Sequence, residues 1–221
     1  MMRFTKPLLL AFAGCALVSC ADIAAPSRGN AYEWRRLLSS GTGVDTFSFH
    51  WSTSDLPVKY WAEDSLNLPL HVQHGIDQWE ALFLYGEYKG VVVTDSNTAD
   101  VIVMTGIAPK GGFLVTRLES GMAPECQGAT DIELTSTGQH IARPIRVYVD
   151  PRFAPGSPGV DECMALTTTH EIGHTLGIFA HSPNTDDIMY ADPRVATPSV
   201  RDRSTAELAY HTPPTLTIDV P

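Results

Sequence analysis

The run His170-Glu171-Ile172-Gly173-His174-Thr175-Leu176-Gly177-Ile178-Phe179-Ala180-His181 constrains this chain more than any other stretch. His170 and His174 are spaced one helical turn apart, so on an α-helix both imidazoles project from one face and can share an ion. Glu171 lies about 100° round the same helix. That places it beside the shared point rather than on it, where a carboxylate can take a proton from a metal-activated water. Gly177 is where the helix should end, because glycine enters the left-handed conformation without a Cβ penalty. The reversed chain then delivers His181 as a third ligand and leaves a fourth position open for water.

A methionine turn follows the triad. Asp187-Ile188-Met189-Tyr190 puts Met189 eight residues after His181, and Ser182 directly follows the third histidine. The whole pattern resembles the signature of the metzincin clan of zinc endopeptidases, and Ser182 is as in its matrixin branch. The resemblance implies one catalytic Zn2+ on His170, His174 and His181, with Glu171 as general base. Met189 would form the hydrophobic floor under the three rings without ligating. Tyr190 is one residue short of the position where astacin-like and serralysin-like relatives carry a zinc-contacting tyrosine, and it takes no such role here. Matrixins also hold structural Ca2+ or a second Zn2+; their ligand patterns match no residues of this chain, so none is assigned. The implied fold is an α+β zincin domain with a mixed, mostly parallel twisted sheet, an active-site helix, and a Met-turn followed by a C-terminal helix. The implied activity is hydrolysis of a protein or peptide substrate. A different class of function, a lipid-anchored zinc-binding interaction or adhesion module, would keep the site but have no need of Glu171.

The rest of the pattern supplies the elements in that order. Pro57 to Trp61 reads as a first strand, and Leu68, Val72, Ile76, Trp79 and Phe83 line one face of an amphipathic helix over 68–84. Val91 to Val93 and Ala99 to Met104 are short β-branched strands, Phe113 to Leu118 an edge strand, and Ile145 to Val149 the last strand before the active-site helix. That helix is expected from about Asp161 to Leu176. Thr167-Thr168-Thr169 is an unusual β-branched run inside it, tolerable where packing overrides propensity. Ser199 and Asp202 match a capping box that opens a final helix to about Tyr210.

Arg3 and Lys6 precede an apolar stretch, Pro7 to Val18, that suits a signal peptide and is too short to span a bilayer. Leu17-Val18-Ser19-Cys20 resembles a bacterial lipobox, which implies a signal at 1–19 and a lipid on Cys20. Ala21 after the cysteine favours the outer membrane, by resemblance to lipoproteins of two-membraned bacteria. The expected location is therefore the bacterial cell envelope, held to the membrane by a lipid anchor; a plain signal peptide and a secreted or periplasmic protein is the alternative. Cys126 and Cys163 then remain as a pair in an oxidising compartment, and a disulfide between them, tying the start of the active-site helix to a loop around Glu125 to Gly128, is expected, with free buried thiols as the alternative. Residues 20–48 read as a tether with one short helix around 32–38, residues 49–212 as the metalloprotease domain, and 213–221 as a loose tail. A net charge of −10 with scattered acids argues against a nucleic-acid partner, which usually meets a basic face.

Overall fold

The computed structural model of the chain describes residues 29–41, 43–109, 114–117, 126–152 and 159–219. The expected signal at 1–19 and Cys20 lie outside the described residues. Among the described residues no helix is long and apolar enough to cross a membrane.

The architecture is α+β. Six strands form one mixed sheet: β3 (Val58–Ala62), β4 (Gly90–Val93), β5 (Val101–Thr105), β6 (Leu114–Arg117), β7 (Cys126–Ile132) and β9 (Ile145–Pro151), in the order β4-β3-β5-β9-β7-β6. The β4, β3, β5 and β9 pairings are parallel, whereas β7 runs antiparallel to both β9 and β6. Two helices cover one face, α1 (Leu68–Glu80) and α2 (Val160–Thr175), and α3 (Val200–Tyr210) follows the loop that leaves α2. The strands alternate as a one-faced sheet requires. Val58, Tyr60, Val101, Val103, Ile145, Val147 and Val149 are buried, while Lys59 between them is exposed.

Every residue of α2 from Leu166 to Thr175 is buried, as expected of a helix enclosed on all sides rather than one lying on a surface. This explains how the threonine run survives in it. Thr167, Thr168 and Thr169 are fully buried, and Thr169 Oγ1 donates back to the Ala165 carbonyl at 2.8 Å. Two buried tryptophans bolt the helix down from outside: Trp79 Nε1 donates to the Thr169 carbonyl at 2.8 Å and Trp51 Nε1 to the Thr175 carbonyl at 2.9 Å. Full burial of side chains this large contributes upwards of ~1.5–3 kcal/mol each, so the helix is held by tertiary packing rather than by its propensity.

Three expectations need correction. The helix expected around residues 32–38 is replaced by β1 (Arg36–Ser40), which pairs antiparallel with β2 (Gly43–Phe47). The chain before it is part of the fold: Trp34 is buried in the core and Tyr32 packs against it, because two aromatics in this stretch find apolar surface to cover. Residues 213–219, expected as part of a loose tail, are docked instead. β10 (Thr217–Ile218) pairs with β8 (His140–Ile141), and Leu216 and Ile218 are buried. Finally, residues 126–128, expected in a loop, are the start of β7, whose glycine and polar residues mask its strand character. Cys163 is disulfide-bonded; the side chain of Cys126, its expected partner, lies outside the described residues.

Candidate metal centre

The end of α2 builds the site. Gly177 has φ +98°, and its amide donates to the His174 carbonyl at 3.0 Å while the Ile178 amide donates to the Gly173 carbonyl at 3.3 Å. This pair of bonds is the Schellman stop, which satisfies the orphan carbonyls of the last turn and reverses the chain. A Cβ at Gly177 would stand 2.8 Å from the Phe49 carbonyl carbon and closer still to its oxygen, so the neighbouring strand of chain also requires glycine there. His181 returns beside the helix. One ring nitrogen from each of His170, His174 and His181 lies within 4.8 Å of the others, and the ring centroids are 4.7 to 5.3 Å apart.

The main chain sets the direction of two of these rings. His170 Nδ1 donates to the Ile188 carbonyl and His174 Nδ1 to the Ile178 carbonyl, each at 2.6 Å. A carbonyl only accepts, so both Nδ1 atoms carry the proton and both Nε2 atoms present lone pairs. Those two Nε2 atoms are 3.1 Å apart. Burial, reinforced by His181, pushes His170 down to about 3, and burial with both neighbouring rings pushes His174 well below the ordinary histidine value. Protonation is therefore a poor way to relieve two facing lone pairs. A shared cation relieves them directly, and the donor set of imidazoles oriented by carbonyls is what a transition-metal ion requires. The three histidines can hold a metal ion.

Met189 is fully buried, and its Cε lies 3.2 Å from the point where a Cβ on Gly173 would stand. It therefore sits against the helix between the turns that carry His170 and His174. The Met189 carbonyl accepts from the Ser182 amide at 2.7 Å, closing the loop that bears His181. Two buried aspartates fasten that loop to α3. Asp187 accepts from Ser182 Oγ, from Ser199 Oγ at 2.6 Å and from Arg201 Nε at 3.0 Å. Asp202 accepts from the Ile188 amide at 3.0 Å, the Ser199 amide at 2.7 Å and the Tyr32 hydroxyl at 2.7 Å. The Ser199–Asp202 capping box is present as expected, with Ser199 Oγ accepting from the Arg201 and Asp202 amides. The Trp34 carbonyl accepts from the Phe179 and Ala180 amides at 2.7 and 3.0 Å. Residues 32–34 thus brace the loop just before His181.

Glu171 is fully buried. Its Oε2 accepts from Thr130 Oγ1 on β7 at 2.6 Å, and the same hydroxyl lies 3.1 Å from the Glu171 carbonyl oxygen. Burial pushes its carboxyl up to about 8, against a lowering by the Thr130 hydrogen bond; a cation close by would lower it again. Thr130 and β7 have no signal in the sequence beyond a weak alternation of Gly128, Thr130 and Ile132. Glu162, near the start of the same helix, is exposed, and Glu207 accepts from Arg203 Nε at 2.9 Å within α3, so neither joins the group of His170, His174 and His181. No family model and no curated protein matches the chain.

Proposed function

We propose that the chain is a zinc-dependent endopeptidase of metzincin type, matrixin-like in its third-histidine and Met-turn pattern, which hydrolyses peptide bonds with Glu171 as general base. The observation that carries this reading is the facing pair of Nε2 lone pairs on His170 and His174, with His181 returned beside them and a buried carboxylate on the next residue of the same helix. A Zn2+ ion held by these three histidines supplies Lewis-acid polarisation of the scissile carbonyl and makes water acidic enough to attack.

The protein's own groups do the rest. Glu171 accepts a proton from the attacking water as its oxygen bonds to the carbonyl carbon, and later gives that proton to the departing nitrogen as the C–N bond breaks. No acyl-enzyme is formed and no oxidant or reductant is consumed. The carbonyls of Ile178 and Ile188 keep two rings in the ligating tautomer. Met189, buried against Gly173 of α2, would form the apolar floor beneath the rings. The proposed setting is the bacterial cell envelope, with the chain lipidated at Cys20.

The test is hydrolysis of a fluorogenic peptide library by wild type and Glu171→Ala, with zinc content measured in both. Activity lost in the variant with zinc retained is the expected result. Full zinc loading without cleavage of any peptide by wild type would refute the endopeptidase reading and favour a zinc-binding interaction module.

A further inference from the structure

Glu171 packs against β7 more closely than a helix packs against most strands. A Cβ at Gly128 would stand 2.8 Å from Glu171 Cγ, 2.6 Å from Thr167 Cγ2, and nearer still to Glu171 Oε1. Two residues on, and so on the same face of the strand, Thr130 Oγ1 donates to Glu171 Oε2 at 2.6 Å. The two carboxylate oxygens therefore stand in different surroundings. Oε2 is held by a hydroxyl. Oε1 lies over the bare backbone of Gly128, buried and without a hydrogen-bond partner among the described residues. Burying a carboxylate oxygen without a partner is unfavourable, so the bare oxygen points to a role that outweighs its cost.

We infer that Thr130 is a positioning residue for the hydrolysis: it fixes Oε2, so that Oε1, over the groove left by Gly128, is the oxygen that takes the proton from water. This rests on the reading of Glu171 as the base. Gly128 contributes by absence, since any side chain there would push the carboxylate off its perch. Thr130 carries a single hydroxyl proton. Its shorter contact is to the carboxylate, and its longer one to the Glu171 carbonyl keeps the strand in register with the turn that carries the base.

The test uses the zinc-loaded protein carrying Thr130→Val, which keeps the shape and the β-branching, and Thr130→Ser, which keeps the hydroxyl. Thr130→Val is expected to lose about 10–100-fold in kcat, the usual effect of removing a partner that orients a working group, with KM within about twofold and zinc content unchanged. Thr130→Ser is expected to recover most of that loss. Thr130→Val with wild-type kcat would overturn the inference, as would a Ser variant no better than Val. A melting-temperature cycle of Thr130→Val with Glu171→Gln, run on metal-free protein, separates the contact from the chemistry. Non-additive shifts are expected, and additive shifts would overturn the cradle whatever the activity. If wild type cleaves no peptide, the base reading falls, and a coupled cycle would then reduce Thr130 to a packing contact, overturning its positioning role.

Discussion

Replacing Gly177 by alanine tests whether the reversal after α2 is as constrained as it looks. At φ +98° an L-residue is strained whatever the space around it, at a cost of about 1–3 kcal/mol. The new Cβ would also stand 2.8 Å from the Phe49 carbonyl carbon. A backbone group cannot swing aside as a flexible side chain can, so overpacking adds about 1–3 kcal/mol. The expected destabilisation is therefore about 2–6 kcal/mol, a large share of the ~5–15 kcal/mol typical of a domain. In urea, at roughly 2 kcal/mol per molar, the midpoint should fall by about 1–3 M with an unchanged slope. The same shift should reach the metal. The Ile178 carbonyl that orients His174 is the next residue, and His181 hangs from the same loop, so zinc affinity measured by competition with a chelator should drop by about 10–100-fold. A Gly177→Ala protein with a midpoint within about 0.3 M of wild type and undiminished zinc affinity would refute the reasoning.

Three further outcomes follow from the same geometry. His181→Ala should weaken zinc binding by more than the ~10–100-fold that loss of an orienting partner brings, while keeping the far-UV spectrum of wild type; unchanged affinity by calorimetry would exclude His181 as a ligand. In metal-free protein, His170 and His174 titrate below their unfolded value of 6.5, so their contribution to stability is complete above pH 6.5 and drains away as pH falls, toward about 3 for His170. Glu171 is raised from 4.5 to about 8, so its contribution is complete below pH 4.5 and lost as pH rises through 8. With two histidines outweighing one carboxyl between these limits, metal-free stability should peak near pH 6.5; a denaturant midpoint still climbing between pH 6.5 and 8 would contradict the burial of Glu171. Tyr32→Phe removes the hydroxyl that donates to buried Asp202, a bond of about 1.5–3 kcal/mol if the carboxylate is charged, and should lower the melting temperature by roughly 3–10 °C; an unaltered melt would show that the brace contributes nothing.

The cluster of three histidines was legible because its logic is local. Histidines one turn apart, a glycine stop and a returning histidine fall within one run, and each step depends on backbone geometry that the residue types advertise. The strands of the parallel half were legible for a related reason, since Val58, Tyr60 and Val101, Val103 alternate or branch as buried strands do. What escaped was whatever depends on contacts far along the chain. β7 is written in glycine, alanine, threonine and aspartate, which carry little strand signal, and it becomes a strand because β9 and β6 flank it and α2 lies beneath it. Residues 32–34 read as linker because their partners, Thr205, Asp202, Phe179 and Ala180, lie at least 140 positions away. The close of the chain misled in the same way. Its prolines suggest a free end, yet Leu216 and Ile218 have a core to enter.

The groups that aim His170 and His174 are peptide carbonyls, at Ile188 and Ile178. An atom of the polypeptide track is present whatever residue occupies the position, so drift at 178 or 188 among apolar side chains leaves the aim of both rings intact so long as the turn keeps its path. Mutational tolerance there should be wide, and the vulnerability of the centre is concentrated in the few positions that shape the path itself.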